Sequence, residues 1–287
     1  MLSERLADAC NQWFTSYTVN FRRVLKFGAV GSGDCRTEVE KALTNVVALP
    51  ISMFTCAMGG VAGRTRKSLL AQEPLLPAEV IRINPETPDM RLVSYVADRI
   101  KAGHVVGMPT DTFYGLAADP LNLRAVDLVY DVKSRSRHKP LSLLIESVEQ
   151  AEYLARPLPD VFYDITRKYW PGPLTIIVKA SSRLPLKVTA NTGNVALRVP
   201  AARIPVEVIR AAGVPITATS ANISGESECT TADGVRAQLG SRLSLIVDGG
   251  TSPRDVASTI IDMSDPYNPT ILRHGAIPEN ELAEFLN

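Results

Sequence analysis

The sequence predicts an α/β fold, a twisted sheet of mixed parallel and antiparallel strands flanked by helices. Three observations carry that prediction. From Leu76 onward, segments with helical apolar spacing alternate with short runs rich in β-branched residues, the pattern of strands covered by helices. Several late strands follow one another without a full helix between them, which mixes antiparallel pairs into the sheet. Hydrophobic residues make up 45% of the 287 residues and charged residues 21%, so the chain can bury a full core and is not a disordered polyelectrolyte.

Each element follows from local pattern. In "MRLVSYVADRIKAG", Leu92, Val96 and Ile100 lie four apart on one helical face, and Gly103 supplies a stop. "HVVGMPT" reads as a short buried strand ended by Pro109, "LRAVDLVYDVKS" as a helix and "LSLLIES" as a strand. "PDVFYDITRKYW" is a helix through Val161, Ile165 and Tyr169, and the strand "LTIIVKAS" follows it. "VALRVP", "VPITATSAN", "LSLIVDGG", "ASTIIDM" and "TILRHG" are further strands, with "RIPVEVIRAAG" and "TADGVRAQLG" as helices among them.

The first 76 residues read differently, so the expected division is an extension at 1–76 and a folded domain at 77–287. No charged residue occurs from Ala42 to Gly63, and Arg64, Arg66 and Lys67 follow. Three readings stay open there: an extension with no address, an organelle transit peptide starting at Met53, or a membrane span. Asn45, Pro50, Ser52 and the Gly59–Gly60 pair dilute the apolar run, so stable membrane insertion is not expected. The corresponding locations are the cytoplasm, the mitochondrion, or both.

A formal net charge of +1 argues against a non-specific nucleic-acid binder. The four cysteines show no Cys-x-x-Cys spacing and the three histidines are scattered, so no protein-ligated metal and no disulfide scaffold is expected. A reducing compartment fits. Neither a Gly-x-x-x-x-Gly-Lys loop nor a Gly-x-Gly-x-x-Gly fingerprint is present, and no nucleophile–histidine arrangement is legible.

Polar residues instead gather where strands end, the usual ligand position of open α/β sheets. "KSRSRHKPL" puts five basic residues between Lys133 and Lys139, a solvated loop or a pocket for a polyanion. "MPTDTFYGL" offers Thr110, Asp111 and Thr112; "TATSANISG" offers Thr217, Thr219, Ser220, Asn222 and Ser224. Arg198 stands inside an apolar strand and requires an anionic partner, from protein or from ligand. Ser258 and Arg273 repeat the pattern near the end of the chain. Such a set can perform phosphoryl or nucleotidyl transfer by positioning and charge stabilisation alone.

"PTDTFYGL", "KSRSRHKPL", "WPGPLT", "ALRVP", "TSANISG", "DGG", "STIID" and "ILRHGAI", in this order, resemble the YrdC-like threonylcarbamoyl-AMP synthases in their single-domain form, over about Pro77 to Pro278. The resemblance implies a fold with a basic concave face. It also implies an activity: L-threonine, bicarbonate or CO2, and ATP with its associated Mg2+ give threonylcarbamoyl-AMP and pyrophosphate. A separate transferase complex then modifies adenosine 37 of tRNA. On the same resemblance the catalytic tetrad is Lys133, Arg135, Ser220 and Asn222. Thr110, Arg198 and Ser258 would bind threonine, and Lys133, Arg137, Asn194, Ser220 and Arg273 would line ATP. Leu144 stands where some relatives have histidine, and Glu228 where many have serine. Two other readings remain: a non-enzymatic RNA-binding protein using the basic face, and a carbamoyl-transfer module of a maturation protein.

Overall fold

The computed structural model describes residues 77–286. The extension and its candidate address lie outside them. Two mixed sheets form where the sequence pattern suggests one. The first has strand order β1 (Glu79–Arg82), β9 (Leu245–Asp248), β2 (Val106–Met108), β3 (Gly115–Ala117) and β8 (Thr219–Ser220). The second runs β11 (Thr270–Arg273), β10 (Thr259–Asp262), β5 (Leu174–Lys179), β6 (Asn194–Arg198), β4 (Ser142–Leu144) and β7 (Ile216–Thr217). Both mix directions: β2 is parallel to β9 and antiparallel to β3, while β6 is antiparallel to β5 and parallel to β4.

"VPITATSAN", one strand by pattern, is where the count changes. Its first half, β7, pairs with β4 in the second sheet, and its second half, β8, pairs with β3 in the first. Between them the Ala218 N–H donates to the Ser142 carbonyl (2.8 Å), and the Thr217 N–H crosses to the Ala118 carbonyl (2.9 Å). A single stretch therefore belongs to both sheets, which is why the polar residues after it emerge at the junction.

Helices close the faces. α1 (Met90–Lys101) is capped by Asp89, which accepts the Arg91 N–H, and buries Val93, Val96, Ala97 and Ile100. Leu92 sits at the margin of that stripe. α1 packs against α6 (Arg203–Ala212) over a core that includes Ile83, Val208, Ile209 and Leu245. α2 (Leu123–Lys133) starts at Asn122, whose side chain accepts from Arg124 and Ala125, and buries Val126, Val129 and Tyr130. It ends at Ser134 in the left-handed region, φ 54°. α4 (Asp160–Tyr169) turns Phe162, Ile165 and Thr166 inward, whereas Val161 and Tyr169 are only half-buried. The Phe162 ring meets Trp170 edge-on at 5.5 Å, and Val161 and Tyr169 pack against the same core from its margin. α7 (Ala232–Leu239) is the expected helix.

Some elements escape the sequence pattern. β1 is a four-residue strand, EVIR, without apolar–polar alternation and mostly exposed, and β3 is three residues at the end of a polar loop. α3 (Val148–Leu154), α5 (Leu186–Thr189) and α8 (Glu279–Leu282) are too short for helical periodicity to register. Among the described residues, no helix is long and apolar enough to cross a membrane.

Candidate active site

A cleft of about 290 Å³ opens at the junction of the sheets, lined by the β2–β3 loop, the ends of β4 and β6, the β7–β8 stretch and the β10–β11 pair. Thr110, Arg135, Leu144, Arg198, Ser220, Glu228, Ser258 and Arg273 all reach it. A more open space of about 440 Å³ continues along Lys133, Arg135, Ser220, Asn222 and Glu228.

Lys133 is the last residue of α2 and is 4% exposed. Its Nζ faces four oxygens: the Ser220 carbonyl (2.5 Å) and Oγ (3.1 Å), and the Asn222 carbonyl (3.2 Å) and Oδ1 (2.6 Å). An ammonium has three donors, so this knot fixes both the lysine and the 220–222 turn. Burial lowers the Lys133 pKa to about 8, Arg135 adds repulsion, and Glu228 opposes the shift. The left-handed turn at Ser134 then carries Arg135 across to the cleft wall, where its guanidinium holds the Lys139 and Pro140 carbonyls (3.4 and 2.9 Å). Burial lowers the Arg135 pKa as well.

Arg198 closes β6. Nε donates to the Gly172 carbonyl (2.9 Å), Nη1 to Thr112 Oγ1 (3.0 Å) and Nη2 to Asp111 Oδ1 (2.6 Å). The buried strand arginine thus finds its anion within the protein, and the Arg198–Asp111 pair is about 7% and 6% exposed at the side chains. Each terminal nitrogen carries two N–H groups, so one on each is left for a ligand carboxylate. Thr110 Oγ1 donates to the Phe113 carbonyl (2.7 Å) and meets Thr112 Oγ1 at 3.1 Å. Ser258 Oγ meets Thr175 Oγ1 at 2.8 Å and accepts from Arg273 Nη2 at 3.0 Å. Arg273 also holds the Ser258 carbonyl through Nε and Nη2, so it braces the hydroxyl it borders.

The structure brings together Lys133, Arg135, Ser220, Asn222, Thr110, Arg198, Ser258 and Arg273. Arg137 and Asn194 stand apart. Arg137 pairs with Asp127 (2.6 Å) and Asp131 (2.8 Å) on the exposed side of α2, its guanidinium 5.5 Å from the Tyr130 ring. Asn194 begins β6, opposite Lys179, while the cleft lies at the Arg198 end of that strand. Leu144 is buried at the cleft wall, in register with Arg198, and supplies an apolar surface there. Glu228 lies on both walls and favours the charged forms of Lys133 and Arg273. Thr175 is the residue that sequence reasoning passed over. Its signal was the same as that of Arg198, a polar residue inside the apolar strand "LTIIV".

Fold and cleft together define an α/β protein that gathers fixed cations and small hydroxyls in one cleft. The Sua5/YciO/YrdC family model, described as telomere recombination, matches residues 98–275. A threonylcarbamoyl-AMP synthase of Pyrococcus abyssi is 36% identical over 194 residues, which cover 68% of this chain and 57% of that protein. One of Bacillus subtilis is 36% identical over 191 residues, 66% of this chain and 55% of that protein. The crystal structure of P. abyssi Sua5 complexed with L-threonine superposes with a TM-score of 0.70 at 34% identity, covering 72% of this chain and 61% of that one. The chain spans little more than half the length of these relatives. It belongs to the Sua5/YciO/YrdC family.

Proposed function

We propose that this chain is an L-threonylcarbamoyladenylate synthase, joining L-threonine, bicarbonate or CO2, and ATP into threonylcarbamoyl-AMP with release of pyrophosphate. The observation that carries the reading is the Lys133–Ser220–Asn222 knot set beside a cleft that holds Arg198 and Ser258. The activity named for the relatives, one of them solved with threonine, supports it.

The chemistry asks for little covalent participation. The threonine amine, once deprotonated, adds to bicarbonate carbon with loss of water, giving a carbamate. A carbamate oxygen then attacks the α-phosphorus, and the bond to the pyrophosphate leaving group breaks. Negative charge shifts onto phosphate oxygens in that step, so buried cations that need not reorganise lower its barrier. Lys133 and Arg135 serve as those cations, and Ser220 and Asn222 keep the lysine aimed. The two spare Arg198 N–H groups bind the threonine carboxylate, and Thr110 with Ser258 reads the substrate hydroxyl. Magnesium enters as part of the ATP substrate. The product is destined for adenosine 37 of tRNA through a separate transferase complex.

The test is direct. Purified protein given ATP, Mg2+, bicarbonate and L-threonine is expected to release pyrophosphate only when threonine is present. Absence of threonine-dependent pyrophosphate across a range of Mg2+ and pH would overturn the proposal.

A further inference from the structure

We infer that a second cavity, bordering the cleft at Thr110, is a binding site for a small protonated oxyanion, and that in the proposed reaction its occupant is bicarbonate. The choice of occupant rests on the proposed function; the class of ligand rests on the cavity alone. The space measures about 590 Å³ and lies between the 109–111 loop, the 249–254 loop and the start of α6.

Its walls carry donors without partners. α6 begins after Ala202 with no side-chain cap, and Ala201 to Ile204 line the cavity, so the Arg203 and Ile204 N–H groups border the space, while Pro205 has none to offer. Ser252 is 8% exposed, and its Oγ has no hydrogen-bond partner among the described residues. Arg254 stands half-exposed on the same wall. These groups suit the oxygens of an anion.

The walls also carry an acceptor. Asp111 lines this cavity and is 4% exposed. Its Oδ1 is occupied by Arg198, but its Oδ2 has no hydrogen bond among the described residues, and Arg254 Nη1 is 3.7 Å away, beyond hydrogen-bond reach. A buried carboxylate oxygen without a donor, set among unfilled donors, matches a ligand that offers one O–H together with anionic oxygens. Bicarbonate and hydrogen phosphate have that form. Sulfate has no proton at neutral pH and would set an oxygen against Asp111. Because Thr110 lines both spaces, an occupant here lies one side chain from the cleft in which the threonine amine would be carboxylated.

The experiment uses the intact chain. In the pyrophosphate assay, Ser252→Ala and Arg254→Gln are expected to raise the KM for bicarbonate about tenfold, roughly the loss of one hydrogen bond to an anion. The KM values for ATP and threonine should stay within about twofold. Phosphate should compete with bicarbonate, and sulfate should not. An unchanged bicarbonate KM in both variants, or equal competition by sulfate, overturns the inference while leaving the proposed function standing. If the wild-type chain makes no pyrophosphate, the functional proposal fails, and line broadening of [13C]bicarbonate by wild type against Ser252→Ala decides the site separately. Broadening lost in the variant supports it, and equal broadening overturns it.

Discussion

Arg198 reads differently once its neighbours are known. As a strand arginine it asks only for an anionic partner, and the resemblance adds a threonine-binding role. Because Asp111 is buried against it, Arg198→Ala would leave a carboxylate unpaired in the interior, at a cost of about 3–5 kcal/mol to the fold. The informative variant is Arg198→Gln combined with Asp111→Asn, which removes both charges. Steady-state kinetics should show a threonine KM raised at least tenfold with the ATP KM little changed. Lys133 gives a pH test. Its folded pKa of about 8 lies below the ordinary 10.5, so the unfolded chain binds more protons between those values and stability rises with pH across that window. Turnover, which in the proposed reaction uses the ammonium, should fall with an apparent pKa of about 8 at saturating threonine while thermal stability holds or improves. That alkaline limb should vanish from whatever activity Lys133→Arg retains. Glu228 sets an acidic group on the wall of the candidate phosphate site, and Glu228→Ser is expected to lower the ATP KM a few-fold. The residues named from motifs fall into one cleft except for Arg137 and Asn194. Composition could not show that Asp127 and Asp131, on the preceding helix, claim Arg137 first.

At the scale of elements, Gly275 illustrates what a strand pattern cannot convey. A methyl group there would stand 2.4 Å from the Ala257 carbonyl oxygen and 2.5 Å from the Ser258 carbonyl carbon, so the chain after β11 touches the backbone leading into β10. Gly275→Ala should therefore destabilise the fold by about 1–3 kcal/mol, as overpacking does. It should also displace Ser258 from Thr175. Thermal denaturation would register the first effect and a raised threonine KM the second. A wild-type melting curve together with wild-type kinetics would remove the assigned contact from the account. Long amphipathic helices and β-branched runs were legible because burial imposes a period on them. α3 and β3 were not, because seven and three residues carry too few positions for a period to emerge. The β7–β8 stretch reads as one strand for a physical reason: both halves are extended and each buries a threonine, and only their partners differ.

For the whole molecule, every motif lies beyond Leu76. A chain beginning at Leu75 is expected to keep threonine-dependent pyrophosphate release. Loss of turnover in a truncated protein that still melts cooperatively would assign the extension a part in the chemistry. A fluorescent fusion of residues 1–72 tests the address separately, and diffuse cytosolic signal would exclude the transit-peptide reading. The stretch shared by the two sheets has a further consequence, on the timescale of opening. The amides of Thr217 and Ala218 donate to carbonyls outside their own strand, one at Ala118 and one at Ser142. Neither sheet can fray there without releasing the other, so these amides should exchange with deuterium only through global unfolding. The seam beneath the cleft would then stay closed through each turnover.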